Sequence, residues 1–91
     1  LMRADADAVL RLLKTARGQI DGVVKMVEDD RYCMDVYNQI LAAQAILTKA
    51  SKLVLRAHIE GCVVSSFESG DPDDAKKSID ELMGVIDKLS K

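Results

Sequence analysis

Few side chains in this 91-residue chain are suited to chemistry: one histidine, His58, and two cysteines, Cys33 and Cys62. His58 and Cys62 bracket the stretch HIEGC at 58–62, and on an α-helix positions i and i+4 share a face. An imidazole and a thiolate so placed are part of a site for a thiophilic metal, and the question is what supplies the rest. Cys33 is the candidate, yet at about 1.5 Å per residue it lies roughly 37 Å from His58 along a continuous helix, whereas donors around one ion approach within about 4 Å. The three therefore cannot meet inside one chain. They can meet across an antiparallel pair of identical helices, where the start of one lies beside the end of the other. A two-fold dimer then carries two equivalent sites, each with Cys33 from one protomer and His58 and Cys62 from its partner. The same separation rules out an intrachain disulfide, whose Cα atoms sit within about 7 Å. Two thiolates and one imidazole form a soft, three-coordinate set that suits Cu(I), or Zn(II) with a fourth ligand. Isolated cysteines in small helical proteins are most often buried small hydrophobes, and lone histidines ordinary polar residues. What favours the metal is exclusivity: the sole histidine and both cysteines fall where one symmetry operation unites them.

The elements that must position these residues are helices. Val9, Leu13, Ala16, Ile20, Val23 and Val27 recur at alternating spacings of four and three, which predicts a first helix over about 5–29 with Asp5 or Asp7 as N-cap. The charged run Glu28, Asp29, Asp30, Arg31 reads as a short turn. Val36, Ile40, Ala43, Leu47, Ala50, Val54, Ala57 and Gly61 then repeat the spacing, flanked by Tyr37, Leu41, Ile46 and Leu53, with no Gly or Pro between Cys33 and Glu60. This predicts one long helix over about 33–67. In a chain this small, a long helix with two apolar flanks cannot be covered by its own neighbours, so the expected state is an antiparallel helical-bundle dimer. The segment ESGDPDD at 68–74 breaks the pattern, with Gly70 as C-terminal cap and Asp71-Pro72 opening a third helix, about 72–89, through Ala75, Ile79, Leu82, Ile86 and Leu89. The fold class expected is all-α, three helices in a single domain over residues 1–91, with residues 1–4 read as the edge of a disordered tail or a cloning remnant.

Composition agrees. Apolar residues make up 48% but aromatics 3%, with one proline, which suits a helical bundle rather than a sandwich. No apolar run approaches the roughly 20 residues of a membrane span and no secretory signal pattern is present, so a cytoplasmic location is expected. The net charge of −2 gives no global attraction to nucleic acid, and any DNA contact must come from segregated charge.

The blocks RLLKTARGQIDG, MVEDDRYC, QILAAQAIL and AHIEGC, taken together and in order, resemble the copper-sensing operon repressors, the CsoR/RcnR type of bacterial metal-responsive transcriptional repressor, over residues 9 to 89. The resemblance implies a dimer of dimers that binds operator DNA without metal and lets go when copper binds. It implies that Cys33, His58 and Cys62 are the Cu(I) triad, and that Tyr32 and Glu81 hydrogen-bond the free ring nitrogen of the histidine. The last point fits the general rule that a ligating imidazole has its other N–H held by a carboxylate or similar group. Glu81 then becomes a link between the metal and the third helix.

No helix-turn-helix, zinc-finger spacing or basic arm is present, so DNA binding rests on local charge and the resemblance. Arg11, Lys14, Gly18 and Lys25 fall on one stripe of the first helix with Arg17 beside it, and Lys49, Lys52 and Arg56 cluster on the second. By resemblance Lys14, Arg17 and Lys49 are the DNA-contact candidates, with Arg11 nearby added to them, although Leu12 stands where many relatives have arginine. Gly18 and Gln19 match the family's GQ. Four chains at −2 each carry −8, so operator binding should weaken steeply with salt. Among inducers of related sensors, nickel calls for further nitrogen ligands, formaldehyde sensors lack the second cysteine and persulfide sensors lack the histidine; Cu(I) is the best match. A copper-buffering or thiol-redox protein without a DNA role is the reading from another class. Nothing resembles an orienting acid with an oxyanion site, so an enzyme is not expected.

Overall fold

The computed structural model describes residues 2–89, and the expectation for residues 1–4 falls partly outside them. Three helices account for nearly all of the described chain: α1 at Ala6–Glu28, α2 at Cys33–Ser69 and α3 at Pro72–Leu89. Among the described residues there is no strand, and no helix is long and apolar enough to cross a membrane.

Local chemistry sets each helix end. Asp5 is the N-cap of α1, its side chain accepting from the backbone N–H groups of Asp7 and Ala8. At the other end Asp30 takes a left-handed conformation, φ 54°, while Arg31 N–H donates to Met26 C=O at 2.9 Å and Asp30 N–H to Val27 C=O at 3.1 Å. That pair of bonds is a Schellman closure with an aspartate where glycine is usual. Gly70, φ 63°, performs the same reversal after α2, and Asp71 caps α3 through Asp73 N–H at 3.0 Å, with Pro72 in the first helical position.

The chain divides into two compact units, one up to Val54 and the other from Leu55, with α2 running through both. In the first unit four residues are buried, Val9, Ala16, Ala43 and Ala50, and three of them are alanine. Side chains this small let the two helix backbones approach closely. Leu12, Gln19, Val23 and Met26 are half-buried beside Val9 and Ala16, so the inner line of α1 is 9, 12, 16, 19, 23, 26. The heptad pattern had placed Leu13, Ile20 and Val27 on the seam; they are 41%, 45% and 61% exposed. The reason is that α1 is apolar along two adjacent lines, and its own chain covers one of them. The uncovered line joins α2 to form an apolar groove of about 420 Å³, lined by Ile20, Val24, Val27, Ile40 and Leu47 among others. Leaving such a surface in water forfeits its hydrophobic stabilisation, about 25 cal/mol per Å².

Candidate metal centre

The second unit holds the chemistry. His58 and Cys62 lie one turn apart on α2, and the 3.6-residue period brings Cys62 Sγ to 3.5 Å from His58 Nε2. Across from them on α3, the Glu81 carboxylate Oε1 meets the same nitrogen in a hydrogen-bond contact. His58, Cys62 and Glu81 each offer one ligand atom, all within 4.8 Å of one another. One turn further along α2, Ser66 Oγ lies 3.1 Å from Ser78 Oγ of α3, so residues 58, 62 and 66 face residues 78 and 81 along a polar line. α3 contributes no buried residue to this contact; Asp74, Ala75, Ser78 and Val85 are half-buried. Arg56 and Glu60 pair at 3.0 Å with both side chains largely in water, where an i, i+4 pair contributes about 0.3–0.5 kcal/mol.

Three of the five residues expected at the metal site are thus brought together in one chain: His58, Cys62 and Glu81. Cys33 and Tyr32 are not among them. Cys33 opens α2 in the first unit with its thiol free and exposed, and Tyr32 precedes it, 67% exposed, its carbonyl accepting from Asp35 and Val36 N–H. The donor set inside one chain is incomplete for a Cys/Cys/His centre. The soft sulfur of Cys62 and the imidazole of His58, one turn apart, are donor types that suit Cu(I).

Arg11, Lys14, Arg17 and Lys49 are all exposed, and no ion pair among the described residues engages them. Leu12 is half-buried on the inner line of α1, which explains an apolar residue there by packing and removes position 12 from the basic face. Sequence reasoning did not single out the Ser66–Ser78 pair, whose only signal is that Ser66 continues the 58, 62 spacing. It also gave Gln19 no structural role; its side-chain oxygen is buried without a hydrogen-bond partner among the described residues.

Residues 5–88 match the profile of a protein family described as metal-sensitive transcriptional repressor. The chain is 39% identical over 79 residues to the copper-sensing transcriptional repressor CsoR of Mycobacterium ulcerans (strain Agy99), a match covering 87% of this chain and 65% of that protein. It therefore spans just under two thirds of that relative's length. To the protein of the same name from Bacillus subtilis (strain 168) it is 38% identical over 87 residues, covering 96% of this chain and 83% of the relative. The crystal structure of the copper-sensing repressor CsoR with Cu(I) from Geobacillus thermodenitrificans NG80-2 superposes with a TM-score of 0.82 at 39% identity, over 93% of this chain and 85% of that one.

Proposed function

The chain belongs to the family of metal-sensitive transcriptional repressors, and from that premise we propose that it is a copper(I)-responsive repressor, binding operator DNA free of metal and released when Cu(I) binds. The observation that carries the metal reading is the placement of His58 and Cys62 one turn apart on α2, with Glu81 on His58 Nε2, in a chain whose remaining thiol, Cys33, stands exposed at the start of the same helix. Cys33 of one protomer with His58 and Cys62 of its partner completes a soft three-donor set. The exposed apolar groove beside α1 and α2 supports the required pairing of two copies into a bundle, and a dimer of dimers as the assembled form. The whole of 1–91 then acts as one metal-sensing, DNA-binding domain in the cytoplasm.

The residues divide the work as follows. Glu81 holds Nε2 of His58, which leaves Nδ1 as the ring nitrogen for the metal and fixes the tautomer. Cys33 of one protomer with His58 and Cys62 of its partner would hold Cu(I), which would supply a soft Lewis acid shared between the two chains. Because Glu81 belongs to α3, any movement of the His58 ring is passed to that helix. Tyr32 stands next to Cys33 in sequence and adds a hydroxyl for the same imidazole in the assembled site. Arg11, Lys14, Arg17 and Lys49 supply the DNA surface through phosphate contacts. The test is anaerobic Cu(I) titration of wild type and Cys33→Ala while following release from DNA taken from upstream of the protein's own gene. Wild type is expected to release and the variant to stay bound; a variant that binds copper normally and still releases DNA would sink the intersubunit site.

A further inference from the structure

Copper is not the only ion that the second unit fits. We infer that His58, Cys62 and Glu81 form a second metal mode, an intrachain Zn(II) site in which Glu81 is a direct ligand and His58 coordinates through Nε2. The geometry is specific on this point. Donors held 2.0–2.3 Å from a tetrahedral ion stand about 3.3–3.8 Å apart, and Cys62 Sγ and His58 Nε2 are 3.5 Å apart before any ion is bound. Glu81 Oε1 already contacts Nε2, and all three donor atoms lie within 4.8 Å. An ion placed among them has only to push the carboxylate off the ring nitrogen and take its place between the two.

The donor chemistry selects the ion. One thiolate, one imidazole and one carboxylate are a mixed set that a borderline divalent cation accepts, whereas the hard carboxylate oxygen is a poor ligand for Cu(I). Three protein ligands leave the fourth position of a tetrahedral Zn(II) to water, and the half-exposed side chains of His58 and Glu81 leave room for it. The two modes use the imidazole in opposite senses. Copper requires Nε2–H to stay on Glu81 and takes Nδ1, while zinc takes Nε2 and Glu81 together. Copper needs Cys33 from another protomer; zinc does not. Zinc binding therefore ties α2 to α3 within the second unit and competes for Cys62 without joining subunits.

Metal titrations of the full-length chain under anaerobic conditions separate the two modes, with Zn(II) measured against a chromophoric chelator and Co(II) as the spectroscopic probe of the same site. Cys33→Ala is expected to keep Zn(II) affinity within about threefold of wild type and to show a tetrahedral Co(II) spectrum with one thiolate charge-transfer band. Its Cu(I) affinity should fall by at least about 100-fold, because even loss of a group that only supports a ligand costs 10–100-fold. Glu81→Gln, which keeps an oxygen to accept from Nε2–H, is expected to retain Cu(I) and lose Zn(II) by a similar factor. Zn(II) binding that falls with Cys33→Ala, or that is untouched by Glu81→Gln, overturns the inference. It does not depend on the copper reading: Cu(I) binding that survives Cys33→Ala would defeat the proposed intersubunit centre and leave the zinc site standing.

Discussion

The coupling role proposed for Glu81 can be put as a number. The His58–Glu81 contact joins side chains 43% and 54% exposed, so it contributes about 0.2–1 kcal/mol, as exposed pairs do. With Nδ1 given to Cu(I), Nε2 of His58 would be the fixed donor on a more positive ring, and its bond to the Glu81 carboxylate would strengthen toward about 1.5–3 kcal/mol. The difference, on the order of 1–2 kcal/mol per site, is the share of the coupling between metal and DNA that this carboxylate can carry. Glu81→Ala should therefore shrink the ratio of DNA affinities without and with Cu(I) by about 5–30-fold. All three metal donors remain in the variant, so its copper affinity should fall by no more than the roughly 10–100-fold typical of a lost supporting group. Fluorescence anisotropy of labelled DNA from upstream of the protein's own gene, with and without stoichiometric Cu(I), reads the ratio directly. A variant that bound copper tightly and still gave the full copper-driven release would refute the link through α3.

Ile40→Asp, in the exposed groove, should leave the helical content of the chain intact but shift the assembly toward monomer, as sedimentation velocity would show; an unchanged oligomer would place the interface elsewhere. Asp30→Gly relieves the left-handed residue that closes α1 and is expected to stabilise the chain by about 0.5–1 kcal/mol, seen as a rise of a few degrees in thermal melting. Lys14→Ala and Arg17→Ala should each weaken DNA binding uniformly across sequences and lower the slope of log affinity against log salt by about one. A salt-independent affinity would contradict a phosphate-contacting surface.

Much of this architecture was legible in the sequence because the signals are local. Alternating spacings of four and three, Asp5 before an apolar run, and Gly70-Asp71-Pro72 fix helix ends through hydrogen bonds made within a few residues, and the observed helices begin and end within two residues of those expected. The seam was half legible. Leu13, Ile20 and Val27 are as apolar as Val9 and Ala16, and periodicity cannot tell a line covered by the same chain from one left for another. The metal cluster divides in the same way. His58 and Cys62 are neighbours by helical period alone, whereas Glu81 reaches His58 from 23 residues away across a turn, a tertiary contact that only the family resemblance anticipated. Leu12 shows the reverse: a departure from relatives that raised doubt about DNA contacts has a packing cause visible only once α1 meets α2.

The absence of any buried residue in α3 has a consequence for how the chain would use the free energy of binding an ion. A helix fastened to its own chain by half-buried side chains and polar contacts such as Ser66–Ser78 and His58–Glu81 opens at a small fraction of the free energy needed to unfold a core. Its amides should exchange with deuterium early and together, ahead of those around Ala16 and Ala43. An ion captured midway along such a helix, at Glu81, would act less as a lever moving a rigid rod than as a clasp that suppresses fluctuation. The signal can then travel as a loss of conformational entropy, with little displacement of the mean structure.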